Sequence, residues 1–97
     1  MQGRRVYVTK SPTEENPYPL PDDPHPGDYW KDPNTDQWLV YCPQGGIGNV
    51  SKHTVIEHED NTITVSPSIL LTYGPADEAG NRKAWHGYLE RGVWRDA

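Results

Sequence analysis

The chain has one cysteine, Cys42, and no phenylalanine. A single thiol excludes an internal disulfide, so cross-links cannot hold this fold together. A basic stripe is also missing. Nine Lys and Arg stand against fourteen Asp and Glu, for a net charge of −5, and only Arg4-Arg5 and Arg82-Lys83 are adjacent cations. Binding to nucleic acid through its phosphates needs clustered cations that displace counterions, and this composition argues against it. No apolar run approaches the roughly 20 residues of a membrane span. Gln2-Gly3-Arg4-Arg5, after Met1, does not read as the start of a signal peptide. The expected location is the cytoplasm in which the chain is made. No window sustains a 3.6-residue apolar repeat, and ten Pro with nine Gly break the chain too often for long helices.

What the sequence does contain is aromatic area. Four Trp and six Tyr are spread over 97 residues, and each aromatic buries about 150–250 Å² when enclosed. They supply the core of one small domain. The richest stretch is Ala84 to Trp94. Trp85 to Leu89 and Val93 to Trp94 read as two strands joined through Glu90-Arg91-Gly92, with Gly where a hairpin needs positive φ. Alternation puts Trp85 and Leu89 on the core face and His86, Tyr88 and Glu90 on the other. A second hairpin runs from Asp28-Tyr29-Trp30 through Lys31-Asp32-Pro33-Asn34-Thr35-Asp36 to Gln37–Tyr41. Trp38 and Val40 face one way and Leu39 and Tyr41 the other, so this strand is expected to be central. A third hairpin joins residues 53–58 to residues 61–65, with Val55 opposite Ile63 or Val65. Pro67 in Ser66-Pro67-Ser68 marks an edge or corner, after which Ile69 to Tyr73 resumes as a strand.

The fold class that follows is mostly β: a small antiparallel sandwich or partly open barrel of hairpins. Residues 28–97 form the compact domain. Residues 1–27 hold a strand at Arg4 to Thr9 and a segment containing Pro17, Pro19, Pro21, Pro24 and Pro26. Pro removes N–H donors and favours extended backbone, so this segment is expected to be an extended N-terminal arm. Ser11-Pro12-Thr13-Glu14 has the signature of a helix start, limited by Pro17 to about one turn.

Candidate chemistry is sparse. Cys42, His53, His58 and His86 are the residue types that bind zinc, although they form no Cys-x-x-Cys or His-x-x-x-His pair. Buried Cys and ordinary surface His is the competing reading, with no cofactor. Gly45, Gly46 and Gly48 make no phosphate-binding loop, because no Gly-Lys-Ser/Thr follows. Nothing in the spacing sets a base on Ser66 or Ser68, which leans against an enzyme. Aromatics are the better lead. His86, Tyr88, Trp94 and Trp30 are the candidate contacts for a protein partner, since Trp and Tyr anchor interfaces.

Cys42-Pro43-Gln44-Gly45, Thr64-Val65-Ser66-Pro67-Ser68-Ile69-Leu70 and Trp85-His86-Gly87-Tyr88 followed by Gly92 cover about half the chain. In this pattern the chain resembles a family of small domains found in bacteriophages and prophages. Many members carry further Cys that would suit zinc, where this chain has Gly45, Gly46 and Trp85. The resemblance implies a phage-encoded accessory protein, in the host cytoplasm or the virion, that binds a host factor or defence component. Two alternatives stand beside it. One is a virion or assembly component whose arm contacts neighbouring subunits of a homo-oligomer, and the other is a zinc-binding module or zinc enzyme.

Overall fold

The computed structural model describes residues 1–15 and 17–97, and it is an all-β open sandwich. The first sheet contains β1 (Arg4–Arg5), β4 (Asp28–Lys31), β5 (Trp38–Tyr41) and β6 (Ile47–Asn49), in the order β1-β4-β5-β6. The second contains β7 (Thr54–Glu57), β8 (Ile63–Tyr73), β9 (Lys83–Glu90) and β10 (Val93–Asp96), in the order β10-β9-β8-β7. A two-stranded ribbon pairs β2 (Val8–Lys10) with β3 (Leu20–Pro21). Every pairing is antiparallel except β1 with β4. No helix is assigned among the described residues, so the single turn expected after Ser11 is not formed, and no helix is long and apolar enough to cross a membrane.

The core lies between the sheets. Tyr29, Trp38 and Val40 from the first meet Ile63, Val65, Ile69, Trp85, Leu89 and Trp94 from the second, with Cys42 and Val50 beside them. Alternation accounts for this set. In β9, Trp85, Gly87 and Leu89 are buried while His86, Tyr88 and Glu90 are exposed, as a period of two requires. The hairpin turn is tighter than the three residues expected. Val93 pairs with Glu90, leaving Arg91 and Gly92 as a two-residue turn at φ +46° and +76°, the left-handed pair that matches strand twist.

Trp30 and Leu39 point away from this core and are nonetheless fully buried. The Pro-rich segment accounts for their cover. Trp30 Nε1 donates to Pro19 O at 2.8 Å, and Pro19 and Pro21 are buried. Pro suits this place, because its ring is apolar and it brings no N–H to be satisfied. An extended free arm is therefore not what the structure shows. The segment folds back as a second layer over the outer face of β4 and β5.

The N-terminus joins the two sheets. Met1 O accepts from Trp94 N at 2.8 Å, and Gly3 N donates to Gly92 O at 2.7 Å, so residues 1–3 run along the edge of β10. Immediately after them β1 lies on β4, where the Arg4 guanidinium binds the buried Asp28 carboxylate through Nε at 3.1 Å and Nη2 at 3.0 Å. Arg5, next along β1, reaches the other face. Its guanidinium stacks 4.9 Å from the Trp38 ring and donates to Asn61 Oδ1 at 2.7 Å.

Candidate functional site

The surface with the most concentrated chemistry is the outer face of the second sheet, around Ser68. Its geometry comes from an irregularity in β8. Val65 pairs with Leu89 and Ile69 with Gly87, so three residues on β8 (Ser66, Pro67 and Ser68) stand opposite one, Tyr88, on β9. Such a bulge re-aims side chains that a regular ladder would send elsewhere. The Pro67 region is therefore a bulge inside one long strand rather than the edge or corner expected. The peptide bond before Pro67 is cis.

Two histidines converge on Ser68. His86 Nε2 lies 3.0 Å from Ser68 Oγ, and His53 Nε2 lies 3.1 Å from Ser68 O. A carbonyl oxygen only accepts, so His53 carries its proton on Nε2. Its Nδ1 is buried without a hydrogen-bond partner. Leu70, two residues on, pairs with His86 across the ladder and is 67% exposed. Tyr88 stands on the same face at 36% exposure, with the Arg95 guanidinium 5.2 Å from its ring centroid. Arg95 is in turn paired with Glu90. Thr64, Ser66, Pro67, Ser68, Tyr88 and Glu90 line a groove of about 310 Å³ beside them.

The proposed metal set does not assemble. Among the described residues no three His, Cys, Asp or Glu side chains are grouped to hold a metal ion. Cys42 sits in the core, His58 is engaged with Thr64 Oγ1 at 2.7 Å, and only His53 and His86 share a neighbour. Burial pushes the Cys42 thiol up to about 12, because a thiolate there would be desolvated without a counter-charge. The expected result is that Ellman's reagent modifies no thiol in the native protein at pH 8 and one thiol per chain in denaturant. Rapid reaction of the native protein would show Cys42 to be accessible.

Two of the four expected partner contacts are also relocated. Trp30 is 0% exposed beneath the Pro-rich layer, and Trp94 is 2% exposed in the main core. All four Trp are buried, three in the main core and Trp30 under the second layer that the Pro-rich segment supplies. His86 and Tyr88 stay on the surface. Sequence reasoning missed Ser68, Leu70 and Arg95. Leu70 had a signal, since Ile69-Leu70-Leu71 is apolar on both faces of a strand and one face had to be exposed or covered. The approach of Ser68 to His86 had none, because it depends on the length of the bulge.

A second groove, of about 360 Å³, opens between the sheets at Lys31, Asp36, Trp38, His53 and Glu57. Its charges satisfy one another: Lys31 lies 3.5 Å from Glu57 and 3.9 Å from Asp36. Comparison with protein families, with curated proteins and with solved structures finds no match to this chain.

Proposed function

We propose that this chain acts by binding a protein partner through the outer face of β8 and β9, with Leu70, His86 and Tyr88 as the contact residues. The exposure of Leu70 carries the reading. Leaving a Leu side chain in water forgoes roughly 1.5–3 kcal/mol of burial, and here it stands beside a half-exposed Tyr stacked on Arg95. A Tyr held by a neighbouring guanidinium loses little freedom on docking, which is the property of an interface anchor. The net charge of −5 favours a partner with a basic surface, since complementary fields speed encounter.

The resemblance to a phage domain family makes a host protein, a replication or defence component, the partner of choice. The assembly reading draws less support, because residues 17–27 cover their own first sheet. The zinc reading lacks a grouped ligand set.

Affinity capture from infected bacterial lysate tests the proposal by comparing variants. Leu70→Asp and Tyr88→Ala should each lower recovery of a given partner at least tenfold, the effect of losing about 1.4 kcal/mol of binding. Tyr7→Ala removes a more exposed aromatic outside the proposed face and should retain it. Equal recovery with all variants, or loss with Tyr7→Ala alone, would place the interface elsewhere.

A further inference from the structure

We propose a second property of this face, independent of protein binding: Ser68 is a nucleophile, activated by His86, that takes an acyl group from an activated ester seated in the adjoining groove. Three observations meet at one hydroxyl. Ser68 Oγ and His86 Nε2 are 3.0 Å apart, within the range at which a base removes the proton of an attacking group. Ser68 itself is anchored through its carbonyl by His53 at 3.1 Å, which restrains the backbone that carries the hydroxyl. The groove of about 310 Å³ opens at Ser68, with Pro67 and Tyr88 as apolar walls and the Ser66 and Thr64 hydroxyls beside them. That volume lies at the lower end of small-molecule sites, and its mixed lining suits a short acyl chain.

The two histidines have different roles. His53 faces a carbonyl and must donate, so it is a holder. His86 faces a hydroxyl, which can donate. With its own proton on Nδ1, its Nε2 accepts the Ser68 proton as Oγ attacks the ester carbonyl carbon. The carbon–oxygen bond to the leaving alcohol then breaks, and the leaving oxygen takes the proton from His86. The acyl group remains as an ester on Ser68. Water attacking that ester through the same imidazole releases the carboxylic acid and restores the hydroxyl.

Among the described residues the ring of His86 has Ser68 as its hydrogen-bond partner and no carboxylate behind it. Loss of the orienting carboxylate from a complete triad costs about 10⁴ in rate. Slow acyl transfer, with the acyl-serine long-lived, is therefore the expected behaviour.

The test is covalent labelling of the full chain with a fluorophosphonate probe, read by intact mass and peptide mapping. One label per chain, on Ser68, is expected. Ser68→Ala should abolish it, and Ser11→Ala, which removes an exposed hydroxyl outside the groove, should label like the parent. His86→Ala should label at least tenfold more slowly while keeping the parent's circular dichroism, and free imidazole in solution should restore its rate. Imidazole rescue separates a base from a residue that merely supports the strand. The proposal is overturned if the parent takes no label, if the label maps to another residue, or if His86→Ala reacts at the parent's rate. Partner capture by the same parent protein would be unaffected by any of these results.

Discussion

Trp94→Ala is expected to cost about 3–5 kcal/mol, the range for deleting a large buried aromatic. A chain of this size has of the order of 5–15 kcal/mol of total stability, so the variant should be close to unfolding at room temperature. Trp94 is 2% exposed and meets Trp85 edge-on at 5.3 Å between ring centroids. Its effect exceeds that of an ordinary core residue because it joins three segments. Its backbone pairs with Met1 along the edge of β10, and its indole N–H donates to Gly27 O at 2.9 Å, at the entrance to β4. Truncation opens a cavity and removes one of two donors to Gly27 O, the other being Arg4 N at 3.2 Å. Trp94→Phe keeps most of the volume and leaves Gly27 O its bond from Arg4 N, so it should cost less, roughly 0.5–1.5 kcal/mol for one lost hydrogen bond. Urea unfolding gives the measure: the midpoint should fall by about 2 M or more for the Ala variant, taking a slope near 1–1.5 kcal/mol/M. A shift no larger than that of Tyr88→Ala would mean that Trp94 does not bridge the sheets.

The same residue shows where the sequence stops being readable. Alternation in β9 and β5 made the hairpins, the central place of β5 and the exposed pair His86 and Tyr88 legible, because a period of two needs no knowledge of neighbours. Trp94 and Trp30 were read as partner contacts because Trp anchors interfaces. The structure places Trp38, Trp85 and Trp94 between the sheets and Trp30 on the outer face of β4. The cover for the second face is Pro19 and Pro21, and a Pro-rich segment looks the same in sequence whether it is free or packed. Its destination is set by a distant contact, the indole of Trp30.

The candidate site divides along the same line. His86 was legible as a surface residue from its own strand. Its approach to Ser68 was not, since the distance depends on how many residues β8 spends in the bulge between Val65 and Ile69. One residue fewer would turn Ser68 to the other face of the sheet. The candidate zinc ligands do not converge, for a related reason. Cys42, His53, His58 and His86 are suitable by type, but ligands must converge within about 2.0–2.3 Å of one point, and β-strand register sends Cys42 inward while His58 pairs with Thr64.

Gly87→Ala, on the core face of β9, should be the most damaging small change in this strand, at about 3 kcal/mol or more. Gly87 reads as a permissive residue in the motif Trp85-His86-Gly87-Tyr88, yet its φ is not in the left-handed region and backbone freedom is not the reason for it. Space is the reason. A Cβ at this position would overlap both the Arg95 carbonyl oxygen on β10 and the far edge of the Trp85 ring. The indole lies across Gly87 because side chains two apart share a face of the strand, and its Nε1 reaches Asp96 Oδ1 at 2.8 Å. Neither obstacle yields easily, since one is ladder backbone and the other a ring held against Trp94. Overpacking of a core typically costs 1–3 kcal/mol, and more where the neighbours are rigid. At about 4–8 °C of melting temperature per kcal/mol for a domain this small, the transition should fall by roughly 12–24 °C. Near-ultraviolet circular dichroism should change with it, because the Trp85–Trp94 geometry must move before the methyl group is accommodated. His86 and Tyr88 flank the same position, so the variant should also lose Ser68 labelling at temperatures where it remains folded. A variant that melts within about 2 °C of the parent with an unchanged aromatic spectrum would show that the Trp85 ring does not lie over Gly87, and the core packing derived from that contact would fall with it.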